Sequence, residues 1–407
     1  MIKYSTISKI TILYCFLYIT MRALLTKVGG SISNFLFILL VLSQVALYAL
    51  EYNHMNTKIR KDGFFICLIF FVLFYIINLF ACQNASAYSL YEYIFYLLFF
   101  FAFLFSLEHV TFQWIVNKYL LFCSILSLEA IWEFVTGNIP FRTYETPQLI
   151  RRAFGLIGSP IILGMLLSIS SLICLYLAIE KDKRYILLFI LNFGALLCTQ
   201  SRGPLVSFAG GFIVAFIIQA KVKNPKKITM VLKRIFIIIV CAVVLYAIVV
   251  IMQKYNVFVH TIYLRLQTIF EWGADNATNY ERARRWNVTY ELFLSHPILG
   301  YGVSSTGAHA NTGIITESGV LKTLAETGII GFIMYYGALV YAYVSYGRRC
   351  VIKKIELAPM AIGVITAVFI QNIIMQVIES APIMYVLMLM IAYLAYGASP
   401  KSNSQRY

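Results

Sequence analysis

The chain has 407 residues, 61% of them hydrophobic and only 12% charged, with a mean hydropathy of +0.81. A soluble domain carries about 25% charged residues, so a soluble globular fold is excluded. The formal net charge of +16 would suggest nucleic acid on a soluble chain. Here it reads as lysines that set membrane topology, and no nucleic-acid partner is expected.

Several apolar runs exceed the roughly 18 residues that suggest a membrane helix. They are continuous rather than alternating, which argues for helices and against a β-barrel. The pattern predicts an all-α polytopic membrane protein of about twelve spans at ~20 residues each. They fall near 8–25, 32–50, 63–82, 89–107, 117–136, 154–179, 185–199, 203–219, 235–252, 319–346, 358–378 and 382–398. Residues 1–252 then hold the first nine spans, 253–318 one large loop, 319–398 the last three spans and 399–407 a polar tail. Lys3 and Lys9 ahead of the first run resemble a signal anchor, and the spans that follow predict that it is not cleaved.

Loop charges set the expected orientation. With the N-terminus in the cytoplasm, inside loops carry Lys58, Arg60 and Lys61; Lys181, Lys183 and Arg184; the lysines of 221–233; and Arg348, Arg349, Lys353 and Lys354. The positive-inside rule supports this choice, with both termini cytoplasmic. Outside loops should then be poor in positive charge, yet several hold arginine. Arg142, Arg151 and Arg152 follow the fifth span, Arg202 sits in a turn of a few residues after the seventh, and Arg282, Arg284 and Arg285 lie in the large loop. Arginine is costly at a membrane boundary without a partner or a task, and its planar fork suits phosphate. Pairing with lipid head groups or outside carboxylates is the plainer reading for any single one.

Thr278 and Glu281 form a T-x-x-E capping box that opens a helix at about 279–294. Ala283, Trp286, Tyr290 and Phe293 recur at helical spacing and are expected to face the bundle. Arg282 and Arg285 share a face, and Arg284 points away from it. Pro297, Gly300 and Gly302 then make turns. Lys322 and Glu326 read as a structural i,i+4 pair. Glu317, at the mouth of the tenth span, is an acid or base candidate or a counter-ion for one of the arginines. Glu92, Glu129, Glu133 and Glu379 are further carboxylates near the outer surface.

No nucleotide-binding signature appears, and the histidines and cysteines make no metal-ligand spacing, so neither metal nor cofactor is expected. Fixed positive forks, carboxylates and an ordered loop over a membrane cavity suit a lipid-embedded anion. A polyprenyl-pyrophosphate sugar fits: transfer from it needs developing charge neutralised and an activated hydroxyl.

Four segments resemble the bacterial O-antigen polymerase and ligase family: RAFGLIGSP (152–160), TQSRGP (199–204), ERARRW…HPILGYG (281–302) and ESGVLKTLAETGIIG (317–331). The resemblance implies a GT-C-like membrane glycosyltransferase of the bacterial inner membrane, acting at its outer (periplasmic) face on undecaprenyl-pyrophosphate-linked oligosaccharides as donor and acceptor. It also brings in membrane lipid and a chain-length regulator protein as partners. It places Arg282 at the family's arginine. Where ligases carry a histidine, counting back from Glu326 and Gly328 gives Glu317, with His309 out of register; this favours a polymerase over a ligase. Arg202 and Arg282 are the implied pyrophosphate ligands, with Arg152 and Arg285 in support, and Glu317 orients or deprotonates the acceptor. Ligation of finished glycan is the nearest alternative. A flippase or exporter of lipid-linked sugar is a third reading, opposed by the lack of internal repeats and midplane polar residues.

Overall fold

The structure, a computed structural model, describes residues 4–55, 62–141, 152–223, 250–251, 253–254, 260, 263, 277–307, 310 and 312–399. These form α1 (Tyr4–Thr20), α2 (Arg22–Glu51), α3 (Gly63–Ala81), α4 (Leu90–Tyr93), α5 (Leu98–His109), α6 (Phe112–Thr136), α7 (Pro160–Glu180), α8 (Tyr185–Cys198), α9 (Arg202–Lys223), α10 (Ala277–Ser295), α11 (Gly319–Ile352), α12 (Ala358–Ile374) and α13 (Ala381–Ala398). Among the described residues eight helical segments are long and apolar enough to cross a membrane, and α8 and α12 are shorter apolar helices. The protein is an all-α polytopic membrane protein. Each predicted span except the ninth falls on a described helix; 235–249, the capping side chain of Thr278, Arg142, Arg151, His309 and the tail beyond 399 lie outside the described residues.

The core is centred on α13 and α7, whose apolar windows are 89% and 78% buried. Tyr385 of α13 meets Phe16, Phe37, Phe99 and Phe103 with ring centroids 4.5–6.4 Å apart, tying α1, α2 and α5 to one point. Helices α9 and α12 approach through small residues: a Cβ on Gly211 would lie 2.5 Å from the carbonyl oxygen of Gly363. Lipid offers no hydrophobic drive between helices, so close backbone contact supplies the packing energy.

Three elements depart from the predicted spans. The loop expected between the first two spans is helical, because α2 begins at Arg22, before its apolar window at Gly30. The added turns rest on neighbouring loops: the Ala23 amide donates to the Leu156 carbonyl at 2.8 Å and Lys27 Nζ to the Pro140 carbonyl at 2.9 Å. The fourth span is broken between α4 and α5 by a short 3₁₀ turn. The tenth breaks inside α11 at Gly328, with φ 61° and ψ −170°.

Tyr4 at the start of α1 donates to Glu51 at the end of α2 at 2.9 Å, so both mark one end of the bundle. Following the helices up and down, α10, Arg202, Glu317, Glu92 and Glu379 all belong to the opposite end.

Candidate functional site

Helix α10 packs against α11 at the site end. Its inward face is the expected one only in part: Trp286 and Phe293 are partly covered, but Ala283 and Tyr290 are exposed, while Arg282 and Arg285 are partly covered and Thr289 is fully buried. Polar partners decide this. Arg282 Nε donates to Glu317 Oε2 at 2.7 Å, Arg285 donates to Glu317 Oε1 at 2.9 Å, and Thr289 and Thr316 hydroxyls meet at 3.2 Å. Arg284 turns away, as expected, and pairs with Glu281 at 3.0 Å.

Glu317 precedes the N-cap of α11, Ser318, whose hydroxyl accepts from the Leu321 amide at 3.4 Å. Both its oxygens are thus taken by arginines i,i+3 on one helix. The Arg282 and Glu317 side chains are only 19% and 18% exposed, which strengthens charge-assisted bonds over their surface worth. Two guanidiniums against one carboxylate leave an excess positive charge at this spot. The counter-ion reading of Glu317 is the contact the structure contains.

Arg152 and Arg202 flank one turn at a second corner. Between α8 and α9 the turn Thr199–Ser201 is buried, with Gln200 at a left-handed φ of 52°. Arg152 clamps it from outside, donating to the Thr199 carbonyl at 3.2 Å and the Ser201 hydroxyl at 3.1 Å. Ser201 in turn donates to the Pro160 carbonyl at 2.9 Å. Arg202, half-buried, occupies the first turn of α9. A cation there opposes the helix dipole, and the two positive ends reinforce each other toward an anion.

The two corners are bridged by consecutive residues of α12. A Cβ on Gly203 would lie 2.6 Å from Gln371 Oε1, and a Cβ on Gly319 would overlap Asn372. Gln371 also pairs with Ser207 at 3.1 Å, and Asn372 accepts from the Val377 and Ile378 amides at 3.2 Å each. The starts of α9 and α11, each next to a predicted site residue, are therefore held on one short stretch of one helix.

The HPILGYG segment crosses the broken part of α11. Tyr301 and Gly302 amides donate to the Ala325 and Glu326 carbonyls at 2.8 and 3.1 Å, and the Ile329 amide donates to the Pro297 carbonyl at 2.9 Å. The carbonyl and amide groups freed by the break are thereby satisfied, as buried backbone requires. Asn78 of α3 locks the crossing, donating to the Leu299 carbonyl at 2.6 Å and accepting from the Val303 amide at 2.9 Å. The Arg152–Gly155 segment has its own mould. Glu133 accepts from the Phe154 and Gly155 amides at 2.7 and 2.8 Å, and Glu129 from the Leu156 amide at 2.9 Å. These two carboxylates hold backbone.

A third group was not assembled by sequence reasoning. Lys322 is 3% exposed and donates to Glu379 at 2.8 Å and Glu92 at 3.0 Å; Glu326 is farther, at 4.0 Å. The expected i,i+4 pair is thus secondary, because Glu326 is turned to Tyr93 (2.9 Å) and to the Thr306 hydroxyl and amide (2.8 and 3.1 Å). Burial lifts the Glu379 carboxyl to about 7, with Lys322 pulling it down and Glu92 pushing it up. A cavity of about 210 Å³ adjoins the group. Among the described residues no cluster of ligating side chains could hold a metal ion.

Residues 187–336 match the family model described as O-antigen ligase. Three of the four resembling segments, with Arg202, Arg282, Arg285 and Glu317, lie inside that match, and Arg152 lies outside it. No curated protein matches the chain. Over this segment, carried by a helical membrane architecture, the chain is similar to the O-antigen ligase family.

Proposed function

We propose that this protein is a polysaccharide repeat-unit polymerase. It moves a growing glycan from polyprenyl pyrophosphate to a hydroxyl of a single lipid-linked repeat unit, at the outer face of the inner membrane. The observation that carries the reading is the convergence of Arg282 and Arg285 on Glu317 beside the start of a membrane helix. The same forks that hold a carboxylate can hold a pyrophosphate, which offers paired oxygens and more charge. Arg202 at the start of α9 supplies a further cation, and Arg152 keeps its turn rigid.

In the proposed reaction the acceptor hydroxyl oxygen attacks the anomeric carbon of the growing chain. The bond from that carbon to pyrophosphate breaks, and its electron pair leaves on the pyrophosphate oxygen. The arginines stabilise that developing charge. Pyrophosphate entering between Arg282 and Arg285 releases Glu317, whose freed carboxylate then orients the acceptor hydroxyl and takes its proton as the new bond forms. A carboxylate rather than a histidine at this place favours polymerisation over ligation.

Deletion of the gene, followed by gel separation of surface glycolipid, tests this. A polymerase deletion leaves acceptor lipid bearing one repeat and no ladder. Bare acceptor lipid, with long polymer accumulating on the polyprenyl carrier, would instead identify a ligase.

A further inference from the structure

The cavity beside Lys322 is lined almost entirely by polar side chains and glycine, including Ser89, Glu92, Thr306, Gln376 and Glu379. These come from the turn before α4, from α4, from the long loop and from the link between α12 and α13. Glu92 and Glu379 each give Lys322 one oxygen, Oε2. Their Oε1 atoms accept no hydrogen bond among the described residues. Gln376 Oε1 is buried and has no hydrogen-bond partner among the described residues. The cavity thus offers unpaired carboxylate and amide oxygens beside the hydroxyls of Ser89 and Ser304, and the Lys322 ammonium is already shared between carboxylates.

That lining selects the ligand. An anion is repelled by the carboxylates, and an apolar group would strand the Gln376 oxygen. An uncharged ring with several hydroxyls can donate to these oxygens and accept from the hydroxyls of the lining. At about 210 Å³ the space falls below the roughly 300–1,000 Å³ of pockets for drug-sized ligands, so it takes one ring rather than an oligosaccharide. Lys322 is also close in sequence to Glu317, with Ser318 capping the helix between them. A ring seated here therefore lies near the arginine pair.

We propose that Glu92, Glu379 and Gln376, braced by Lys322, form a sugar subsite that holds one monosaccharide of the lipid-linked repeat unit through its hydroxyls. This rests on the reading of the chain as a glycosyltransferase using such lipids. Lys322 is a positioning residue: it fixes which carboxylate oxygens face the cavity.

The test uses the full chain in detergent with two probes, the lipid-linked single repeat unit extracted from the deletion strain and bare undecaprenyl pyrophosphate. Glu92→Gln and Glu379→Gln are expected to weaken repeat-unit binding about tenfold, the loss of a charged hydrogen bond, and to leave the bare lipid within about twofold. Gln376→Ala leaves Lys322 with its partners and is expected to weaken repeat-unit binding about threefold; it decides the matter if the glutamate variants do not accumulate. Unchanged repeat-unit binding in these variants overturns the subsite and leaves the polymerase reading standing. Wild-type protein that binds neither lipid overturns the polymerase reading itself.

Discussion

Gly300 and Gly328 pass each other with no room for a side chain on either. A Cβ on Gly300 would lie 2.5 Å from the Gly328 amide nitrogen, and a Cβ on Gly328 would lie 2.6 Å from the Gly300 amide nitrogen. Both residues also have positive φ, 80° and 61°. The crossing of the loop over the broken helix thus needs glycine twice, for space and for backbone conformation.

Gly300→Ala and Gly328→Ala should therefore each destabilise the protein by more than the ~1–3 kcal/mol of a strained backbone alone. Gly313→Ala is the control: its φ is 65°, but nothing among the described residues lies within 4 Å of its Cβ position. Thermal unfolding of purified protein in detergent should rank Gly313→Ala well above the other two. Equal midpoints for all three would show that the crossing is not close-packed.

Arg282→Ala should abolish the glycan ladder while protein still accumulates in the membrane. Loss of one preorganised donor to a developing charge costs about 10²–10³-fold in rate. Arg282→Lys keeps the charge but not the fork, and should also lose most activity. A normal ladder in the lysine variant would show that only charge is needed.

Arg202→Ala should likewise abolish polymerisation with insertion intact. Arg152→Ala should lower it less, because Arg152 acts by bracing the Thr199–Ser201 turn rather than at the start of α9. Chain-length profiles of both variants check the order. Normal chains from Arg202→Ala would remove it from the anion site.

Lys322→Met leaves Glu92, Glu379 and Glu326 facing one another without their cation. Breaking a buried ion pair from one side costs about 3–5 kcal/mol, and Lys322 is 3% exposed. Adding Glu92→Gln and Glu379→Gln to Lys322→Met should recover part of that loss, measured as the unfolding midpoint. No recovery would mean that the lysine acts by packing rather than by charge.

Glu379 gives the stability a pH dependence of definite sign. Its carboxyl is raised from 4.5 to about 7, so the folded chain holds this proton more tightly than the unfolded chain. The stabilisation is complete below pH 4.5 and is lost as pH rises through about 7. Unfolding midpoints across that window should fall for wild type and fall less for Glu379→Gln. Parallel curves would place the titration elsewhere.

The sequence alone determined the membrane class, the helical architecture and most spans, because a helix in lipid satisfies its own backbone and hydropathy is a local property. It also singled out Arg152, Arg202, Arg282, Arg285 and Glu317, since charge at a membrane boundary stands out against apolar neighbours. Tertiary structure decided the rest. Periodicity placed Trp286 and Phe293 of α10 on the covered side but missed Arg282, Arg285 and Thr289, because their partners Glu317 and Thr316 are distant in sequence. The breaks before α5 and at Gly328 could not be read from hydropathy, because their freed backbone groups are satisfied by other segments or by local turns. Lys322 looked like one half of a local pair. Its closer partners, Glu92 and Glu379, lie 230 and 57 residues away, and only the folding of the bundle brings them to one cavity.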